Sequence, residues 1–177
     1  MRTASAISGQ SCSPRASTSA RASCSRTPFH ARAEPLFEES LAILRERGDT
    51  ANVARSLFNL GAVALELGRL DDAELRLRES LDLSRQAGDK EDICWCLLGT
   101  AALAGARDSS ERAATLCGAA SSLLDEMGAA FKPFERSLYE RTVAHARALM
   151  GDMAFEAAHR RGEQMSLDAA LEFAATA

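Results

Sequence analysis

Gly48, Gly88 and Gly128 stand forty residues apart, and Ala33, Ala73 and Ala113 keep the same interval. A fixed period in this range marks a chain of stacked helical hairpins, each of which buries its apolar face only against its neighbours. The register holds along the segments between. Leu41 coincides with Leu81, Glu39 with Glu79, and Ile43 with Leu83 and Leu123. A second kind of segment alternates with the first, pairing Val53 with Ile93, Leu57 with Leu97 and Ala64 with Ala104. The unit is therefore helix A, turn, helix B, turn.

Both segment types carry helical spacing. Val53, Leu57, Leu60 and Ala64 advance in steps of three and four, as do Ala73, Leu77 and Leu81. Small residues such as Gly61, Ala62, Gly99, Ala101 and Ala102 let helix axes approach. The three periodic glycines fit left-handed C-terminal caps, after which Asp49 and Asp89 are placed to cap the next helix. Asp71 or Asp72 is expected to cap the helix after Gly68, and Ser109 or Ser110 the one after that. No alternating, strand-like run is found. The expected fold is all-α.

Composition narrows the function classes. The net charge of −4 hides an asymmetry: residues 1–33 hold five arginines and no acid, which leaves the remainder at about −9. An acidic helical body is poorly suited to phosphate backbones, so nucleic acid is not the expected partner. No apolar run approaches the eighteen residues of a membrane span, and no secretory signal is present. Five cysteines, an odd number, fit a reducing cytoplasm.

Residues 1–32 break the pattern. The register positions of Val53, Leu57 and Leu60 fall there on Ser13, Ser17 and Ala20, and the stretch is rich in Ser and Arg with Pro14 and Pro28. It reads as a disordered basic leader. A transit peptide would need a clearer apolar stripe. The first helix of type B, at about 34–47, then lacks a helix A before it. The expectation is that the solenoid is an internal or C-terminal piece whose N-terminal neighbour is missing. The alternative is a native tail folded over the open face.

Candidate chemistry is sparse. Cys94 and Cys96 lie two apart on one helix, so their thiols diverge, and core filling is the expected role. His30, His145 and His159 show no metal-binding or catalytic spacing, and a solvated or helix-end position is expected for them. Adjacent acids such as Asp71 and Asp72 do not converge on a helix. No catalytic residue, metal site or cofactor is expected. Trp95 is the sole tryptophan; it either packs between helices A and B or stands on a groove open to a ligand. Arg55 holds the same register one unit earlier, with Asn59 one turn on. Arg55, Asn59, Glu66 and Trp95 are the groove candidates, solvated surface being the alternative.

Leu57, Leu60, Gly61, Gly68, Ala73 and Leu77 together resemble a tetratricopeptide repeat, and Trp95, Leu98 and Gly99 resemble the next one. The interval departs from that family's usual length, and Arg107 and Asp108 replace the glycine turn. From Arg112 onward, Leu116, Gly118, Ala119, Gly128, Pro133, Tyr139, Leu149, Phe155, Gly162, Ser166, Leu167 and Ala170 resemble the end of the repeat region in LuxR-type and adenylate-cyclase-associated, ATP-binding bacterial transcriptional regulators. The resemblance implies a tetratricopeptide-like α-solenoid over 33–128 and a C-terminal helical cap over 129–177. It also implies a non-enzymatic interaction or sensor module for a protein or peptide partner, or for an attached regulator domain. The glycine-rich phosphate loop of those regulators is absent from this chain, so ATP binding does not carry over. The rival function is a stand-alone DNA-binding or signalling regulator that uses the basic leader.

Overall fold

The computed structural model describes residues 34–176. Among them the chain is helical, with no strand. The described part of α1 covers 34–47. It is followed by α2 (Thr50–Glu66), α3 (Leu70–Ala87), α4 (Lys90–Ala106), α5 (Ser110–Glu126), α6 (Pro133–Met150), α7 (Asp152–Glu163) and α8 (Leu167–Ala175). The expected leader, 1–32, lies outside the described residues.

The punctuation follows the forty-residue interval closely. Gly48, Gly88 and Gly128 take φ of 69°, 67° and 61°, the left-handed geometry that ends a helix without steric cost. Gly68 does the same at 73°, and its register equivalent Asp108 takes φ 59°. The turn is thus kept where the glycine is lost, because a short polar side chain tolerates this region best. Asp49 caps α2 by accepting from the amide of Asn52, and Asp89 caps α4 by accepting from Glu91 and Asp92. The expected caps of α3 and α5 fare differently. α3 starts at Leu70 with Arg69 as its cap residue, so Asp71 and Asp72 fall inside the first turn and offset the helix dipole there. Ser109 is the cap residue of α5 but makes no side-chain capping bond.

Packing joins the hairpins through shared apolar clusters. Leu41 of α1 meets Val53, Leu57 and Leu60 of α2. Leu77 of α3 meets Phe58 of α2 and Leu103 of α4. The largest cluster runs from Leu97 through Leu116 and Leu123 to Leu138, with Ala170 and Leu171 of α8 laid against it. Each buried leucine contributes roughly 2 kcal/mol of transfer free energy. α4 touches both α2 and α6, so these three helices share one face of the molecule. α7 lies instead against α5. At that crossing Gly118 meets the backbone of His159, and Gly162 meets the backbone of Thr115. Any Cβ at either glycine would overlap the opposing carbonyl.

Candidate functional site

The face shared by α2, α4 and α6 carries all four groove candidates. Arg55, Asn59 and Glu66 descend along α2, and Trp95 stands on the neighbouring α4. Successive A helices repeat in parallel, so side chains at equal register meet across the seam. Arg55 and Trp95 are one such pair, and the guanidinium lies 5.8 Å from the ring centroid.

Trp95 is half-buried. Phe58 of α2 packs beside it at 6.2 Å between centroids, and the Lys132 ammonium sits 4.4 Å from the ring. Its neighbours therefore come from α2 and from the residue that caps α6. Lys132 is in turn 2.7 Å from Glu91. A rigid aromatic held between two cations presents its remaining edge in a fixed place, as a contact residue requires.

Arg55 is fixed rather than free. Its Nε donates to both oxygens of Asp92, at 3.0 and 3.2 Å, and Asp89 lies 3.7 Å from a terminal nitrogen. Asp92 is 3% exposed, and burial pushes its carboxyl above the usual range, with the Arg55 bond pulling the other way. The folded value then exceeds the unfolded one, so this group favours folding at low pH and loses that effect as pH rises through the folded value. The wild type is accordingly expected to gain stability over Asp92→Asn as pH falls from neutrality towards 4. Urea denaturation of the two proteins in parallel measures this. A difference that shrinks on acidification would show that the Arg55 pair outweighs burial.

At the far end of the same face, Glu66 accepts from Arg141 of α6 at 2.5 Å. Leu65, Ala102, Leu138, Arg141, Thr142 and His145 surround Glu66 in a shallow depression of about 270 Å³. The four candidates thus split into two groups, with Asn59 on the turn of α2 after Arg55. The first centres on Trp95 and the second on Glu66 and Arg141. Arg141 and Lys132 were not foreseen; they lie beyond the regular forty-residue register, so no spacing pointed to them.

The thiols are core. Cys94, Cys96 and Cys117 are buried, and burial pushes each up to about 12. Cys94 donates to the carbonyl of Ala120, whereas Cys96 contacts Ser80 at 3.1 Å, so the two sulfurs do point apart. Cys12 and Cys24 lie outside the described residues, as does His30. Of the solvated or helix-end position expected for His159, the solvated half does not hold: the side chain is largely buried, about one turn before the end of α7. Its Nε2 is 3.0 Å from the Tyr139 hydroxyl and its Nδ1 is 3.2 Å from Glu163. Phe131 stacks on Tyr139 at 5.0 Å and Phe155 flanks His159 at 5.4 Å, which makes this cluster a lock between α6 and α7. Glu135, in the first turn of α6, is also buried, with Oε2 unpartnered among the described residues. Among those residues no three side chains are grouped as a metal site, and no helix is long and apolar enough to cross a membrane.

Residues 24–86 match the tetratricopeptide repeat family, a span that takes in α1, α2 and nearly all of α3. No curated protein and no solved structure matches the chain. Tetratricopeptide repeats are in general non-catalytic scaffolds for protein–protein contact. The helix order, the shared clusters and this match together make the fold a tetratricopeptide-like all-α solenoid.

Proposed function

We propose that the chain is a non-enzymatic interaction module that receives a peptide or partner domain along the face of α2, α4 and α6. The observation that carries this reading is the preformed arrangement around Trp95, where Arg55, Lys132 and Phe58 hold one amphipathic ring at the open surface. Asn59 and the Glu66–Arg141 pair extend the contact surface towards the other end. Backbone amides and carbonyls of an extended segment are suitable partners for such polar groups, and the ring provides the apolar anchor.

The module acts as the C-terminal repeat region of a bacterial LuxR-type, cytoplasmic transcriptional regulator, where partner binding biases an attached effector. Support comes from the resemblance over the last third of the chain. Gly118 and Gly162, two of the residues that carry it, meet opposing backbone at one helix crossing.

Because Trp95 is the sole tryptophan, its fluorescence reports on the groove alone. A peptide library screened against the full chain is expected to yield ligands that shift Trp95 emission. Trp95→Ala and Asn59→Ala are expected to weaken those ligands about tenfold or more, about 1.4 kcal/mol or above. Ligands that bind both variants as tightly as the wild type would place the contact surface elsewhere.

A further inference from the structure

A cleft of about 390 Å³ opens between α3 and α5. These helices hold equal places in consecutive hairpins, yet they do not pack closely, whereas α5 and α7 cross in backbone contact. Leu77 and Leu81 of α3 with Leu103 and Ala104 of α4 form an apolar floor, and Ala174 and Ala175 of α8 make one wall. The volume falls within the range of small-molecule sites. No residue of the cleft belongs to the α2, α4 and α6 contact surface described above, so the two sites stand independently.

Arg76 and Arg112 are the two arginines most withdrawn from solvent among the described residues. Arg76 meets Glu38 and Asp72, each at 2.7 Å. Arg112, on the wall of the cleft, meets no carboxylate among the described residues. Its terminal nitrogens donate to the Ala174 carbonyl at 3.0 Å and the Thr176 hydroxyl at 3.4 Å, and its guanidinium lies 5.1 Å from the Phe173 ring. Burial pulls this group below the usual arginine range, with the charge of Glu74 opposing it. Glu74 is itself engaged by Arg78 at 3.3 Å and Arg107 at 2.7 Å. Asp82 stands two helical turns further along α3, about 12 Å from Glu74 on the axis. The cleft thus runs from a cation at Arg112 to an apolar stretch at Leu81.

We propose that this cleft binds a small amphipathic carboxylate, with its head on Arg112 and its apolar tail along Leu77 and Leu81. A guanidinium offers N–H groups in a planar fork that matches a carboxylate, and the protein engages Arg112 only through Ala174 and Thr176. A cationic head would meet Arg112 as a like charge, and an uncharged one would leave it uncompensated. Glu74 and Asp82 on the rim disfavour a second negative charge, so the head carries one. A peptide fits less well, because an apolar floor leaves buried backbone amides without acceptors.

Octanoate, 1-octanol and octylamine share one tail and differ in the head group. Calorimetric titration of the full chain is expected to show octanoate bound at one site, about tenfold or more tighter than octanol, the effect of one charge-assisted pair. Octylamine is expected to bind no better than octanol. Arg112→Gln should bring octanoate down to the level of octanol, whereas Arg112→Lys, which keeps the charge, should retain most of the affinity. Both variants lose the guanidinium bonds to α8, so the contrast between them isolates the charge. Thr100→Leu, which fills the cleft from α4, should weaken octanoate and octanol alike. Comparable binding of octanoate and octylamine would overturn the proposal. So would octanoate that fails to bind, or that binds Arg112→Gln as tightly as Arg112→Lys.

Discussion

Alanine at Gly118 or Gly162 is expected to destabilise the protein by about 3 kcal/mol or more, at the upper end of overpacking costs. The obstacle at each site is backbone: the His159 carbonyl at Gly118 and the Thr115 carbonyl at Gly162. A carbonyl on a helix cannot step aside without moving the helix, so α7 must lift from α5. Gly61→Ala and Gly99→Ala provide the comparison. There the added methyl would come closest to the Leu77 side chain, 2.9 Å from its Cγ at Gly61 and 2.6 Å from a Cδ at Gly99, where Phe58 also lies at 3.3 Å, and side chains can shift where a helix backbone cannot. Those two changes are expected to cost about 1 kcal/mol. Denaturant midpoints of the four variants decide the matter. Equal losses across all four would mean that α5 and α7 do not cross in backbone contact.

Leu77→Ala is expected to cost about 3 kcal/mol, within the range for a leucine deleted from a packed core. Leu77 is 1% exposed and wedges between Phe58 of α2 and Leu103 of α4, so it joins two consecutive hairpins. The same leucine faces both Gly61 and Gly99. Alanine at either glycine should therefore partly refill the space that Leu77→Ala leaves. The combined variant is expected to lose less than the sum of the single losses, a coupling that a double-mutant cycle reads directly. Strict additivity would contradict the packing described here.

The helical architecture was legible because hairpin punctuation repeats at a fixed interval. A glycine ends each helix B, and after Gly48 and Gly88 an aspartate states the turn a second time, in hydrogen bonding as well as in conformation. Where only one of these signals was present the reading slipped. Asp71 and Asp72 are good capping residues by type, yet the turn geometry after Gly68 gives Arg69 the cap position. Arg55 and Trp95 could be placed together because both obey the register. Arg141, Lys132 and the Tyr139–His159–Glu163 cluster could not. They depend on how α6 and α7 follow the regular hairpins, and long-range docking leaves no local periodic trace. The Gly118–Gly162 crossing was hidden for a related reason: glycine and alanine are abundant throughout, so two more small residues do not announce a contact.

The crossing of α5 and α7 also bears on the order in which the molecule comes apart. In a linear array each hairpin is stabilised by those beside it, so opening spreads from whichever end is held least firmly. Backbone-to-backbone contact and the α8 buttress hold one terminus, while the described part of α1 meets neighbours on one side only. Amide exchange should therefore form a gradient, fastest in α1 and slowest in α5, with α3 between them. Such a polarity would let the Trp95 region, held by Arg55 and Phe58 of α2, remain intact through partial openings that release only α1.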